Sequence, residues 1–156
     1  MILETERLIL REMTQDDFPA LKALLQNPKV MYAYEHSFTH QDVQDWLNRQ
    51  ITRYEQDGFG LWGILLKPND IWIGQAGLTL QKYKDTKVLE IGYLLQASFW
   101  GQGYATEAAE ACKRYAFEQL GANTVYAIIK TDNIASRHVA ERIGMKMCIR
   151  DRKCIA

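Results

Sequence analysis

Residues 90–108, Glu-Ile-Gly-Tyr-Leu-Leu-Gln-Ala-Ser-Phe-Trp-Gly-Gln-Gly-Tyr-Ala-Thr-Glu-Ala, constrain the fold of this chain more than any other stretch. They read as an apolar strand, a short loop holding Gly101 and Gly103, and an amphipathic helix. Strand, glycine loop and helix in that order build a cradle for a phosphate. Glycine lets the backbone turn tightly and approach a ligand, and the unpaired N–H groups and partial positive charge of a helix N-terminus favour an anion there. Spacing excludes two common phosphate loops. A dinucleotide loop needs a third glycine where Thr106 stands. A nucleotide-hydrolase loop needs Gly-Lys-Ser/Thr, which this sequence lacks.

The rest of the chain reads as an alternation of strands and helices. Residues 7–12 alternate like a strand, with Leu8 and Leu10 on one face. Thr14 with Asp17, and Thr39 with Asp42, are helix-start signals. Each precedes an apolar stripe: Phe18, Leu21, Leu24 and Leu25, then Val43, Trp46, Leu47, Ile51 and Tyr54. An aromatic loop, residues 31–36, separates the two helices. Residues 60–67, 71–81 and 87–96 are strand-like, the first two joined by the turn signal Pro68-Asn69-Asp70. The helix after the glycine loop carries Ala108, Ala109, Cys112, Tyr115 and Ala116 inward and turns Glu107, Glu110, Lys113 and Arg114 away. Residues 124–130 form a last apolar strand, and Asn133 opens a final helix. The order β-α-α-β-β-β-α-β-α predicts one α/β domain.

A length of 156 residues suits a single domain with a real core. Nineteen basic residues balance nineteen acidic ones, which argues against a broad nucleic-acid-binding face. No apolar run approaches the roughly 20 residues of a membrane span, and the first residues lack a basic-then-apolar signal. Cys112, Cys148 and Cys154 have no metal-ligand spacing and imply no disulfide framework. A cytoplasmic protein without metal, membrane or nucleic-acid partner is expected.

Trp100 to Ala105 resembles the Arg/Gln-x-x-Gly-x-Gly/Ala loop of the GCN5-related N-acetyltransferase (GNAT) superfamily, which holds the pyrophosphate of acetyl-CoA. Residues 131–145 resemble the second motif of that superfamily, Asn-x-x-Ala/Ser followed by a helix ending in Leu/Ile-Gly-Phe/Met. Residues 4–11, Glu-Thr-Glu-Arg-Leu-Ile-Leu-Arg, are similar to the branch that includes the RimJ/RimL ribosomal-protein N-terminal acetyltransferases. The resemblance implies a mixed, mostly antiparallel sheet with helices on both faces and two splayed parallel strands at the cofactor site. It also implies that the backbone of Tyr93, Leu94 and Leu95 pairs with the pantetheine arm and the acetyl group. Amides of Gly101, Gln102, Gly103, Tyr104, Ala105 and Thr106 would hold the pyrophosphate, though the glycines alone fit a plain strand-to-helix turn equally well. Trp100, where the superfamily has Arg or Gln, would border the loop and pack. Asn133 would cap its helix and also bond the coenzyme. Many relatives place a Tyr acid where this chain has Ala140; the resemblance transfers that role to Ser136, one turn earlier, whose bland reading is a small residue in a first helical turn.

The implied reaction needs a neutral amine. An α-amine with a pKa near ~8 is roughly 10% neutral at pH 7, whereas a lysine near ~10.4 is neutral to well under ~0.1%. A carboxylate acting through water can take the proton. Glu90, at the start of the cofactor strand, is the candidate base; a solvated or ion-paired strand-edge carboxylate is the plain alternative. Glu35 and His36 are reserves, and Tyr32, Tyr34 and Glu35 would shape the acceptor pocket. His36 and His40 otherwise read as surface residues, His138 as solvent-facing, and Cys112 as core. The expected activity is direct transfer of the acetyl group of acetyl-CoA to a primary amine, first a protein N-terminus, otherwise a polyamine or an antibiotic. The rival is a non-catalytic acyl-CoA-binding domain. The chain is expected to be a monomer or a homodimer. The resemblance implies two strands beyond Met145, yet only residues 146–156 follow, and residues 147–152 read like a translated transposon adapter. The expectation is a domain spanning residues 1–146 with its last strands missing, a non-native tail at 147–156, and an unpaired edge on the strand at 124–130.

Overall fold

A computed structural model describes residues 1–32, 34, 37–83, 85–129, 133–148 and 153–155. In chain order the elements are β1 (Leu3–Glu4), β2 (Leu8–Arg11), α1 (Phe18–Leu25), α2 (His40–Asp57), β3 (Leu61–Leu66), β4 (Ile71–Tyr83), β5 (Thr86–Leu95), α3 (Tyr104–Glu118), β6 (Tyr126–Ile128), α4 (Ile134–Arg142), β7 (Lys146–Cys148) and β8 (Lys153–Ile155). The strands form one sheet in the order β1-β2-β3-β4-β5-β6-β8-β7. Every neighbouring pair is antiparallel except β5 and β6, which run parallel and share a single register pair, Glu90 with Tyr126.

The helix-start signals act as expected. Thr39 accepts from the Asp42 N–H at 3.0 Å while Asp42 accepts from the Thr39 N–H at 2.9 Å, so two orphan donors of α2 are satisfied reciprocally. Thr14 and Asp17 form the same box around a 3-10 turn (Gln15–Asp17) that precedes α1. Asp17 also takes both terminal nitrogens of Arg11 at 2.8 Å. Burial alone would raise its carboxyl; Arg11 and the Thr14 N–H outweigh that and hold it below its ordinary value.

Each face of the sheet carries its own core. Under α3 and α4, Ala108, Ala109, Cys112, Ala116 and Ala140 are fully buried against Trp62, Ile73 and Leu78. These small side chains let α3 sit low on β4 and β5, and Trp62 packs edge-on to Tyr115 with ring centroids 5.3 Å apart. On the opposite face α1 and α2 bury Leu21, Leu24, Leu25, Val43 and Leu47 with Met13.

Two expectations are corrected. The edge of β6 is not open: β8 pairs with it antiparallel, Tyr126 opposite Ile155, and β7 continues the sheet beyond β8. Residues 146–148 and 153–155 thus add two further strands of three residues each to the sheet. That strand is also shorter than residues 124–130, and Lys130 lies outside the described residues.

Candidate active site

The site begins where β5 and β6 part. Gln96 donates to the Ile73 carbonyl at 2.9 Å, so residue 96 faces β4 in a hydrogen-bonded pair. Alternation along an antiparallel ladder then turns the backbone groups of residues 92 and 94 to β4 and those of residues 91, 93 and 95 to the other edge. Beyond the pair Glu90–Tyr126 no rung joins β5 to β6. The Ile128 N–H, which a continued ladder would direct at β5 backbone, donates instead to Glu90 Oε2 at 3.0 Å. A side-chain carboxylate thus sits in the fork where the strands splay. The expected three-residue edge reduces to Tyr93 and Leu95, since Leu94 is paired to Gln75 with its backbone turned to β4. Trp100, expected to border the cofactor loop and pack, donates its indole N–H to the Leu95 carbonyl at 3.0 Å and closes the end of this edge.

A cavity of about 440 Å³ opens there. It is bordered by Tyr93, Leu94 and Leu95, by Trp100, Gly101, Gly103, Tyr104, Ala105 and Thr106, and by Asn133 and Ser136. Gly101 and Gly103 have φ of +77° and +83°, a left-handed conformation that disfavours a Cβ by roughly 1–2 kcal/mol. Gly103 is the N-cap of α3 and supplies no side-chain cap. The first intrahelical bond runs from Glu107 N–H to the Gly103 carbonyl, so the N–H groups of Tyr104, Ala105 and Thr106 have no partner within the helix. These donors and the helix dipole meet at the cavity wall, and together they suit an anionic group.

Gln102 does not border the cavity; its carbonyl accepts from Arg7 Nη1 at 2.9 Å. Arg7 is a residue that sequence reading missed. Its Nε meets Glu107 Oε1 at 2.7 Å, its backbone N–H donates to Glu107 Oε2 at 2.9 Å, and its guanidinium lies 4.4 Å over the Tyr104 ring. The Thr5 hydroxyl donates to the same carboxylate. Burial pushes the Glu107 carboxyl up, but Thr5 and Arg7 together hold it below its ordinary value. Glu107 is thus not turned to solvent as expected. It ties α3 and its glycine loop to the chain between β1 and β2, a long-range contact that no local spacing announces.

The opposite wall of the cavity is the start of α4. Asn133 Oδ1 accepts from Ser136 N–H at 3.3 Å, the expected cap, and from the Tyr32 hydroxyl at 3.1 Å. The Tyr93 hydroxyl donates to the Ser136 carbonyl at 2.7 Å. His138 and Arg142, the latter not anticipated, complete this wall.

A second cavity of about 420 Å³ lies across β5 and shares Tyr93 and Leu94 with the first. Gln75, Thr79 and Gln81 of β4 and Glu90 and Gly92 of β5 contribute one side. They lie on one face, since residues 75, 77, 79 and 81 pair with 94, 92, 90 and 88. The paired Gly77 and Gly92 put no side chain in the middle of that face. Trp46, Arg49, Gln50 and Arg53 of α2, with Tyr34, close the other side. Gln50, Gln75 and Thr79 are 1%, 1% and 3% exposed, and with Asp17 they are the buried polar residues among those described. Half-buried Glu90 has its carboxyl pushed up to about 7 by burial, against the Ile128 N–H and the charge of Arg53. Burial also raises the Tyr34 phenol, and the charge of Glu90 adds to this.

Tyr32 therefore borders the first cavity and Tyr34 the second, while Glu35 and His36 lie outside the described residues. His40 packs tilted against Phe18 with centroids 4.8 Å apart and borders neither cavity. Cys112 is buried beneath α3, where burial pushes its thiol up. Among the described residues no three His, Cys, Asp or Glu side chains converge as a metal site, and no helix is long and apolar enough to cross a membrane.

Residues 7–146 match the family model described as Acetyltransferase (GNAT) domain. The chain belongs to the GNAT acetyltransferase family. It is 37% identical over 144 residues to the uncharacterized protein YkkB of Bacillus subtilis, covering 92% of this chain and 84% of that one. The crystal structure of an acetyltransferase from Agrobacterium tumefaciens superposes with a TM-score of 0.84 at 29% identity, over 98% of this chain and 91% of the other. RimL, a ribosomal L7/L12 α-N-protein acetyltransferase solved with coenzyme A, has a TM-score of 0.75 at 18% identity, over 99% and 96% of the two chains, and so shares the fold alone. As a GNAT enzyme this protein is an acetyl-CoA-dependent N-acetyltransferase. The residues present suit that co-substrate: an unpaired strand edge for an amide-bearing arm leads to a cluster of unpartnered N–H groups for a pyrophosphate.

Proposed function

We propose that this acetyltransferase moves the acetyl group directly to an α-amine, with a protein N-terminus as the first acceptor class and a small amine as the second. The observation that carries this reading is the meeting of two cavities on Tyr93 and Leu94, one lined by backbone donors and the other by Glu90. Acetyl-CoA supplies an activated acyl thioester. The backbone N–H of Tyr93, on the open edge of β5, is placed to polarise its carbonyl. Glu90 accepts the proton of the amine through water as the new N–C bond forms. When the C–S bond breaks, Ser136 hands its hydroxyl proton to the departing sulfur and is reprotonated from solvent.

The acidity of Glu90 favours an α-amine over a lysine. A base with a pKa of about 7 lies close to an α-amine near ~8 and much further below a lysine near ~10.4. Residues 4–11 and the glycine loop support a place in the RimJ/RimL-like branch. Every residue bordering either cavity precedes residue 146, which supports assigning the chemistry to residues 1–146. The test is thiol release from acetyl-CoA with peptides bearing a free N-terminus, N-blocked peptides bearing a lysine, and spermidine. Turnover of the first set supports the reading; turnover confined to spermidine would move it to the second class, and turnover confined to lysine would overturn it.

A further inference from the structure

Besides the Glu90 carboxylate, the second cavity is bordered by side-chain donors that have no acceptor among the described residues. Gln50 Oε1 already accepts from the Leu61 N–H at 3.2 Å and from Arg53 Nη1 at 3.1 Å. Gln75 Oε1 accepts from the Trp46 indole N–H at 3.2 Å. The Leu61 N–H and the indole N–H can only donate, so both amides are oriented with their NH₂ groups left to the cavity. Thr79 Oγ1 accepts from Gln81 at 2.9 Å, which leaves the Thr79 proton to donate. Arg49 and Arg53 stand four residues apart on one face of α2, where like charges repel, and both border the cavity. Among the described residues neither forms a salt bridge. Burial, and then the charge of Arg49, make the Arg53 guanidinium easier to deprotonate than usual.

Side-chain donors that border a cavity with no protein acceptor can be satisfied by a bound ligand, and these, beside exposed Arg49 and half-buried Arg53, suit a ligand rich in anionic oxygen. We infer that the acceptor is an amine carrying a carboxylate, its nitrogen held toward Glu90 and Tyr93 and its carboxylate toward Arg53 and the NH₂ groups of Gln50 and Gln75. This rests on the reading of the second cavity as the acceptor site. A free amino acid and a peptide whose first residue is acidic both offer that chemistry. A polyamine does not, because its further cations would face Arg49 and Arg53.

Matched acceptors decide the matter, with the chain saturated in acetyl-CoA and thiol release as the readout. Glycine is compared with glycinamide, Asp-Ala-Ala-amide with Asn-Ala-Ala-amide, and spermidine is included. With kcat/KM expressed per neutral amine, the carboxylate member of one pair is expected to be higher by roughly 10- to 100-fold, the range for a hydrogen bond to a charged group, with spermidine lowest. Preference in the first pair identifies a free amino acid, and preference in the second an acidic peptide N-terminus. Arg53→Gln should level the preferred pair through the KM of the acceptor, whereas a merely structural role would lower both members alike. Equal kcat/KM within both pairs of the unaltered protein, or a preference that Arg53→Gln and Arg49→Gln leave intact, overturns the inference and leaves acetyl transfer standing. Absence of turnover with every amine, by a chain that calorimetry shows to bind acetyl-CoA, overturns both readings.

Discussion

The two cavities that meet on β5 are built from different materials. The first cavity, which we propose holds the co-substrate, is largely backbone: the open edge at Tyr93, two left-handed glycines, and the first N–H groups of α3. The second cavity, which we propose holds the acceptor, is largely side chain, with Trp46, Arg49, Gln50 and Arg53 from one helix and Gln75, Thr79, Gln81 and Glu90 from two strands. A backbone site tolerates many changes of side chain and depends on a few conformations. A side-chain site can be redrawn one residue at a time without disturbing the fold.

Substitutions that separate the two cavities give the sharpest tests. Glu90→Gln should lower kcat by about 100-fold or more, the usual contribution of a positioned base, with the acetyl-CoA dissociation constant unchanged by calorimetry. The pH profile carries the same information. Glu90 is protonated below about 7 and cannot accept a proton there, so the rate should rise as pH passes through about 7. An α-amine acceptor adds a limb near ~8, and Glu90→Gln should remove only the lower one. A profile still rising through 7 in that variant would assign the base elsewhere.

Gly103→Val should act on the other cavity. A β-branched residue at φ of +83° costs roughly 1–3 kcal/mol, and its Cβ would lie 3.3 Å from Arg7. The acetyl-CoA dissociation constant should rise roughly 10-fold or more, and binding as tight as in the parent chain would break the backbone account of this cleft. Asp17→Ala lies outside both cavities and serves as the control. It should reduce unfolding free energy by about 2 kcal/mol at neutral pH, through the lost cap and the unpaired Arg11, without altering acceptor preference. Because the folded-state carboxyl is held below its ordinary value, that deficit should shrink as pH falls from ~3.9, where the parent chain begins to lose the same interaction. Arg7→Ala removes a pair whose side chains are 40% and 19% exposed, so a loss near ~1 kcal/mol in thermal unfolding is expected. Tyr32→Phe, which deletes only the exposed bond to Asn133, should change acetyl-CoA affinity by about threefold or less.

The same contrast separates what was legible in the chain from what was not. The glycine loop, the end of its strand and the start of its helix lie within residues 90–108, and the left-handed turn there follows from local conformation. The capping signals at Thr14 and Thr39 and the small inward residues of α3 were equally local. The acceptor cavity left one usable trace: Gln75, Thr79 and Gln81 fall at odd positions of an otherwise apolar strand, as a polar stripe on one buried face would. Nothing in spacing linked that stripe to Arg49 and Arg53, or Arg7 to Glu107. The closure of β6 by β8 was misjudged because short strands near a chain end carry little periodicity to read.

The sequence by itself determined the family, the order of most elements and the glycine turn that opens α3, because each depends on the conformation of contiguous backbone. Only the tertiary structure decided that Glu90 sits in the fork of β5 and β6, that Asn133 is bonded to Tyr32, and that the acceptor cavity is donor-rich. Those properties are set by burial and by partners distant in the chain. A carboxylate acquires a pKa of about 7 from what surrounds it, not from its neighbours in sequence.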